Sequence, residues 1–119
     1  MLPVENPVTD FTRQAGEAAS LLKLLANESR LLVLCYLGEA GELSVTELTE
    51  QVGLSQSALS QHLARLREEG LVATRKEAQS VFYRVCDPKA EQVLALLHRI
   101  YCPQLGREME PSPQAGENA

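Results

Sequence analysis

The stretch Leu54-Ser-Gln-Ser-Ala-Leu-Ser-Gln-His-Leu-Ala-Arg-Leu-Arg-Glu-Glu-Gly70 decides the fold, because it predicts a helix of about four turns with two different faces. Leu59, Leu63 and Leu66 recur at helical spacing and form one apolar face. Ser55 is the predicted N-cap, and Gly70 is the predicted residue just past the last turn. The opposite face is polar. Its Gln and Arg side chains suit adenine and guanine edges, and its small Ser side chains let a helix backbone approach DNA closely.

This pattern fits an ordinary amphipathic surface helix as well as it fits a DNA-reading helix. The preceding segment decides between these two interpretations. Leu43–Gly53 predicts a shorter helix in which Ser44 and Glu47 have capping-box spacing and Gly53 ends the element. Two helices joined by a turn of about three residues form the helix-turn-helix pattern, whose second helix enters the major groove. We therefore predict DNA binding through the exposed side of this helix, by Ser55, Gln56, Ser57, Ser60, Gln61 and Arg65.

After Gly70 the chain has two β-prone runs joined by a polar turn at about residues 77–80, which predicts a β-hairpin wing. A solvent-exposed hairpin without DNA contacts is the alternative. The first run places basic side chains near the tip, and the second alternates apolar and polar positions. The wing adds four candidate DNA contacts: Arg75, Lys76, Tyr83 and Arg84.

Helices are also predicted on both sides of this unit. A first helix starts around Asp10, and a second, capped by Asn27, is apolar almost all round and therefore buried. Gly38 and Gly41 are predicted to bracket the following turn. Asp87-Pro88 starts a last helix, with an apolar stripe at Val93, Leu96, Leu97 and Ile100.

The predicted fold is mainly α with a small β-hairpin, a winged helix-turn-helix. We expect a homodimer built on the first and last helices, because the last helix has an apolar stripe without an obvious partner in so small a domain. The expected organisation is a flexible arm over residues 1–9, the dimeric domain over 10–102 and a disordered tail over 103–119, rich in Pro, Gly, Glu and Gln.

Composition is compatible with a cytoplasmic DNA-binding protein of 119 residues. The net charge of −5 is unusual for such a protein, but Leu54–Val85 holds five basic residues against three acidic ones, so this segment is +2 and the remainder −7. No apolar run is long enough for a membrane span, and the first residues form no signal peptide. The odd count of three cysteines argues against a structural disulfide framework.

Two stretches, together with the predicted order of elements, resemble the ArsR/SmtB family of bacterial winged-helix repressors. They are Leu-Leu-Lys-Leu-Leu-Ala-Asn-Glu-Ser-Arg-Leu (21–31) and Leu-Ser-Gln-Ser-Ala-Leu-Ser-Gln-His-Leu-Ala-Arg-Leu-Arg-Glu-Glu-Gly-Leu-Val (54–72). The resemblance covers roughly residues 15–102. It implies a homodimeric repressor that leaves its double-stranded operator DNA when an inducer binds. In this family the inducer is usually a metal or metalloid.

The metal-binding motifs of the family are absent from the matching positions. Ser44-Val45-Thr46-Glu47-Leu48 stands where one site has Cys-Val-Cys-Asp-Leu, and Asp87-Pro88-Lys89 stands where another has Asp-x-His, with His98 alone remaining of its histidines. We therefore expect no metal site of either known kind and no cofactor.

Cys35 and Cys102 instead resemble the cysteine pair of the persulfide-sensing BigR and SqrR branch of the family. That resemblance implies that persulfide or polysulfide links the two cysteines and that DNA is then released. His98, four residues before Cys102, is a candidate for tuning its thiol. Cys35, in an apolar helix, is expected to be the less reactive, resolving partner.

Three alternatives stay open at this point. Cys35, Cys86 and Cys102 could together bind arsenite, with metal–sulfur bonds of about 2.3 Å. A thiol oxidoreductase is a weaker hypothesis, because the chain lacks a Cys-x-x-Cys pair and a Gly-rich phosphate loop. A winged-helix module that does not bind DNA is compatible with the acidic charge.

Overall fold

The computed structural model describes residues 7–101, with side chains from Asp10 onward. Within this part, five helices surround a small antiparallel sheet, in the order α1 Pro7–Leu25, α2 Glu28–Ala40, β1 Leu43–Ser44, α3 Val45–Val52, α4 Gln56–Glu68, β2 Val72–Glu77, β3 Ser80–Val85 and α5 Pro88–Tyr101. The first helix begins three residues before Asp10, so the last residues of the predicted arm are helical. The rest of the arm and the predicted tail lie outside the described residues.

The helix-turn-helix is formed by α3 and α4, with the predicted caps. Ser44 and Glu47 make both hydrogen bonds of a capping box, and Gly53 ends α3 in the left-handed conformation. The hydroxyl of Ser55 accepts a hydrogen bond from the Ala58 amide at 3.1 Å and caps α4. Gly70, at φ 82°, follows the last turn of α4. Local sequence therefore defines both ends of α4, the predicted recognition helix of the helix-turn-helix.

The hairpin is confirmed, and the structure adds a strand that the sequence did not predict. Leu43–Ser44, assigned from sequence to the start of a helix, pairs with β3 and makes a three-stranded sheet of order β1-β3-β2. In the hairpin Val72 pairs with Val85 and Arg75 with Phe82. Because facing residues share a face, this register places Lys76 and Tyr83 on one face and Arg75 and Arg84 on the other.

One core holds the helices and the sheet together. The fully buried side chains come mainly from α2, α3 and α4, and they are Val33, Leu34, Leu37, Leu48, Leu59, Leu63 and Leu66. The predicted apolar face of α4 is thus the face that packs inward. Truncating any one of these leucines to alanine is expected to cost about 2–5 kcal/mol of folding free energy.

The second helix is longer than predicted and is joined to α1 by an arginine. It continues through Gly38 to Ala40, so only Gly41 stands at the turn. Asn27 caps it as predicted, accepting from the Arg30 amide at 3.0 Å. The Arg30 guanidinium also donates to the carbonyl of Leu24 at 2.8 Å, which satisfies a C-terminal carbonyl of α1. Leu32 is 40% exposed, so this helix is not buried all round.

The outer helices expose large apolar side chains. On α1, Phe11 and Leu22 are exposed, whereas Leu24 and Leu25 join the core. On α5 the predicted stripe divides: Val93 and Leu97 are half-buried, while Leu96 and Ile100 are exposed. The core-facing residues of α5 are instead Ala90 and Leu94. Both outer helices therefore present apolar surface that the described residues do not cover.

Candidate functional site: a DNA-binding surface and a thiol cavity

The recognition helix exposes every side chain that the sequence assigned to DNA contact. The leucines of α4 turn inward, so the polar residues on the opposite side of the helix and at its N-cap face solvent. The exposed set is Ser55, Gln56, Ser57, Ser60, Gln61 and Arg65. Two of these have a partner within the protein. The Ser55 hydroxyl is occupied by its capping bond, and Arg65 Nε lies 3.5 Å from a carboxylate oxygen of Glu69.

The wing arginine Arg75 is held by two carboxylates. Its Nε and one Nη contact the two carboxylate oxygens of Glu42 at 2.8 and 3.0 Å, and the other Nη contacts Glu77 at 2.7 Å. The guanidinium also lies over the Phe82 ring, 4.5 Å from its centroid. Hydrogen bonding to Arg75 lowers the pKa of the Glu42 carboxyl, and hydrogen bonding to Glu42 and Glu77 raises the pKa of Arg75. The sequence treated Arg75 as available to DNA; the structure places it in an ion-pair network.

The other wing residues differ in how far they face solvent. Lys76 is exposed and has no ion pair within residues 7–101. Arg84 is exposed on the same face as Arg75 and lies close enough to Glu42 to lower its pKa further. Tyr83 is half-buried and packs against the core. Lys76 is therefore the cation of the wing that the protein leaves least engaged in the part of the chain described.

A cavity of 490 Å³ lies between α2 and α5. The α2 side contributes Leu34, Cys35, Leu37, Gly38 and Glu39, followed by Gly41. The α5 side contributes Glu91, Leu94, Ala95, His98 and Arg99, and Val85 completes the lining. An apolar floor with a thiol, an imidazole and three charged groups at its walls suits a site for reaction with a small molecule.

His98 faces this cavity rather than open solvent. Its Nε2 is buried and lies 3.4 Å from a carboxylate oxygen of Glu39 on α2, without the alignment of a hydrogen bond. Leu94 and Ala95 lie on the same side of α5 and also line the cavity, so this side of the helix faces α2.

The three cysteines occupy different surroundings. Cys35 is half-buried, packs against the core and lines the cavity. Cys86 is exposed, and its thiol lies 3.5 Å from the Gly70 carbonyl oxygen. Among the described residues the cavity lining includes Cys35 but not Cys86. Cys102 directly follows the last residue of α5 and lies outside the described residues, so the pairing of Cys35 with Cys102 stays a prediction.

The positions of the family's metal motif are used here for helix capping. Ser44 Oγ accepts from the Glu47 amide at 3.1 Å, and Glu47 Oε1 accepts from the Ser44 amide at 2.8 Å. Within residues 7–101, no three potential ligands among His, Cys, Asp and Glu lie together in a metal-binding arrangement. No helix in the same range is long and apolar enough to span a membrane.

Sequence reasoning missed Glu42 and Glu39. Both contribute through tertiary contacts, Glu42 with Arg75 and Glu39 with His98, at separations along the chain that no local motif reports. Their only signal was the acidic, glycine-containing segment 38–42 at the end of α2, which the sequence had assigned to a turn.

The comparisons with known proteins agree with this geometry. Residues 27–74 match the family model described as bacterial regulatory protein, arsR family. The transcriptional activator HlyU of Vibrio cholerae is 53% identical over 93 residues, covering 78% of this chain and 85% of that protein. The structure of reduced HlyU from Vibrio cholerae superposes with a TM-score of 0.75, covering 78% of this chain and 97% of the other.

A solved transcriptional repressor is also similar. BigR from Xylella fastidiosa has 45% sequence identity and a TM-score of 0.73, covering 81% of this chain and 94% of that one. The proteins of this family are DNA-binding transcriptional regulators and not enzymes, which removes the oxidoreductase hypothesis. The predicted family and the winged helix-turn-helix fold are confirmed: the chain is a member of the arsR family of bacterial regulatory proteins.

Proposed function

We propose that this regulator is a cytoplasmic homodimeric repressor whose affinity for operator DNA falls when reactive sulfur species crosslink Cys35 and Cys102. The observation that carries the proposal is that Cys35 lines the cavity between α2 and α5 together with Ala95 and His98. In the sequence Cys102 follows Ala95 by seven residues and His98 by four, which are spacings that share one face of a helix. A link between the two cysteines would therefore join α2 to the end of α5.

DNA binding through the major groove is supported by the exposed face of α4, and repression is supported by one of the two relatives named above. BigR of Xylella fastidiosa is a transcriptional repressor, whereas HlyU of Vibrio cholerae is a transcriptional activator. The polar residues of α4 bind base edges in this proposal, and Lys76 and Arg84 bind phosphates.

The homodimer is supported by the apolar surface of α1 and α5. Phe11 is 74% exposed, Ile100 56% and Tyr101 76%, and large apolar side chains at this exposure are typical of a surface that a partner covers. A two-fold axis between these helices gives two recognition helices, which then bind half-sites about one DNA turn apart.

The chemistry needs only a persulfide as oxidant. One cysteine thiolate attacks the sulfane sulfur of RSSH, which releases RSH and leaves a protein persulfide; the second thiolate attacks the sulfur bound to the protein, which releases H₂S. Two thiols and one RSSH thus give one disulfide, one RSH and one H₂S, the thiols losing two electrons and the sulfane sulfur gaining them. A polysulfide reagent can leave extra sulfur atoms in the link, which spans Cα separations longer than the roughly 4.4–6.8 Å of a disulfide.

The test combines mass spectrometry and DNA binding on one sample. An operator is first selected from a random duplex library with the reduced protein. Reduced protein is then treated anaerobically with an organic persulfide or inorganic tetrasulfide, mapped by peptide mass and titrated with the operator. We expect a Cys35–Cys102 crosslink and weaker binding, both lost in Cys35→Ser and in Cys102→Ser.

Cys86→Ser is the matched control and is expected to respond like the wild-type protein. Loss of the response in Cys86→Ser would instead favour arsenite binding by three thiolates, which an arsenite titration then tests. A crosslink that leaves operator binding unchanged would contradict the proposed switch. Failure of the reduced protein to select any operator would contradict repression itself.

A further inference from the structure

The contacts of Arg75 connect two parts of the molecule that are distant in sequence. The guanidinium belongs to the wing strand β2, and the carboxylate that holds it at two points belongs to Glu42, in the short connection between α2 and β1. A bidentate arginine–carboxylate pair in a network of charges is the kind of surface ion pair that has a defined geometry. Glu77 and the Phe82 ring fix the other sides of the same guanidinium.

The segment that carries Glu42 is also a wall of the thiol cavity. Gly38, Glu39 and Gly41 line that cavity, and Glu42 is the next residue. The connection is tight, because Gly41 has φ 86° and its amide donates to the carbonyl of Leu37 at 2.8 Å. A displacement of the C-terminal turn of α2 is therefore passed directly to the Glu42 backbone.

The only strand pairing between this segment and the wing is short. β1 has two residues, Leu43 and Ser44, which pair with Tyr83 and Phe82 of β3 in the part of the chain described. Arg75 lies on the far strand, β2, so the Glu42–Arg75 pair reaches across β3 and ties the outer strand to the end of α2. Without this ion pair, the connection between α2 and β1 would be joined to the wing only by the pairing of β1 with β3.

We propose that Glu42 and Arg75 are positioning residues for DNA binding, which set the wing in register with the end of α2 and transmit the state of the thiol cavity to it. The inference rests on the proposed sulfur switch. Crosslinking α2 to α5 shifts the last turn of α2, Glu42 moves with it, and the wing moves through Arg75. Arg75 then acts on DNA through the position of the wing and not as a phosphate contact.

The test measures how strongly crosslinking weakens DNA binding in matched variants. Glu42→Gln removes the charge that links the wing to α2. Glu77→Gln is the control, because it removes a carboxylate from the same guanidinium but within the hairpin itself. For each variant, the ratio of operator Kd after and before persulfide treatment is measured, and amide hydrogen exchange over residues 72–85 is followed in both states.

Glu42→Gln is expected to reduce that Kd ratio by a factor of about 2–30, the range found for residues that couple two sites. Glu77→Gln is expected to keep the wild-type ratio. Crosslinking should change hydrogen exchange of the wing in the wild-type protein and in Glu77→Gln, but much less in Glu42→Gln. In a double-mutant cycle, Glu42→Gln with Arg75→Gln should lower the ratio no further than either single change.

Two failures are distinguishable. If persulfide treatment weakens operator binding in the wild-type protein, Glu42→Gln and Glu77→Gln by the same Kd ratio, the coupling role of Glu42 and Arg75 is wrong. The proposed sulfur switch is then still supported. A wild-type protein whose operator binding does not respond to the crosslink would overturn the switch and the coupling together. Thermal unfolding of each variant is the control for folding. We expect midpoints close to that of the wild-type protein, because both glutamates are at the surface and glutamine has nearly the same shape.

Discussion

Neighbouring cations at the wing are expected to contribute unequally to the salt dependence of DNA binding. Lys76 has no ion pair within residues 7–101, whereas Arg75 is held by Glu42 and Glu77. Each phosphate contact adds about 0.9 to the slope of log K against log salt concentration, so Lys76→Gln in both subunits of a dimer should lower the slope by about 1.8. Between about 50 and 200 mM salt the wild-type protein should then lose about twelvefold more affinity than Lys76→Gln.

Arg75→Gln is the matched substitution and should leave the slope unchanged, even where it changes the affinity at a single salt concentration. The measurement is fluorescence anisotropy with a labelled duplex at a series of salt concentrations, and a duplex of arbitrary sequence suffices because the phosphate term does not depend on sequence. A slope that falls by about 1.8 in Arg75→Gln and not in Lys76→Gln would refute the reasoning. It would mean that Arg75 leaves its carboxylates to bind phosphate.

Three further predictions concern stability and assembly. Ser55→Ala removes the acceptor of the Ala58 amide at the start of α4 and should lower the free energy of unfolding by about 1 kcal/mol in urea denaturation. Ala78→Gly should raise the thermal midpoint slightly, because Ala78 at the wing tip has φ 56°, and relief of the left-handed strain of about 1–2 kcal/mol exceeds the entropic cost of glycine. Ile100→Glu places a charge on the exposed apolar face of α5 and should yield monomers in sedimentation velocity, while an unchanged sedimentation coefficient would place the dimer interface elsewhere.

Short-range signals in the sequence predicted the recognition unit well. The caps at Asn27, Ser44 and Ser55 use side chains to satisfy amides three residues away, so the residue type and its spacing carry the information. The apolar face of α4 was also predictable, because a 3.6-residue period defines it without knowledge of the partner. The exposure of the predicted base-reading residues follows from that face.

Features that depend on tertiary contacts were not predictable in the same way. β1 has two residues, and its strand state exists only because β3 lies beside it. Gly38 was assigned to a turn from its residue type, but the helix continues through it because core contacts of Leu34 and Leu37 hold α2 in place. The pairing of Arg75 with Glu42 spans 33 residues, so no local pattern indicated that Arg75 should be removed from the set of DNA contacts.

Carboxylates lie beside some of the cations that are predicted to bind DNA, and this determines how large a structural change is needed to release DNA. Arg75 is neutralised by two carboxylates, and Arg65 on α4 has Glu69 beside it. Of the four cations predicted to contact DNA, Arg65, Arg75, Lys76 and Arg84, only Lys76 and Arg84 thus have no ion pair in the described part of the chain. A half-site bound by one subunit is therefore expected to be weak, and tight binding requires both recognition helices at once. When two linked contacts must form together, a change of geometry that prevents the second contact removes most of the affinity without altering any residue at the DNA surface. In the proposed mechanism, a crosslink between α2 and the end of α5 would need to change only the relative placement of the two recognition helices of a dimer. A regulator of net negative charge could then be switched from a cavity that does not itself bind DNA.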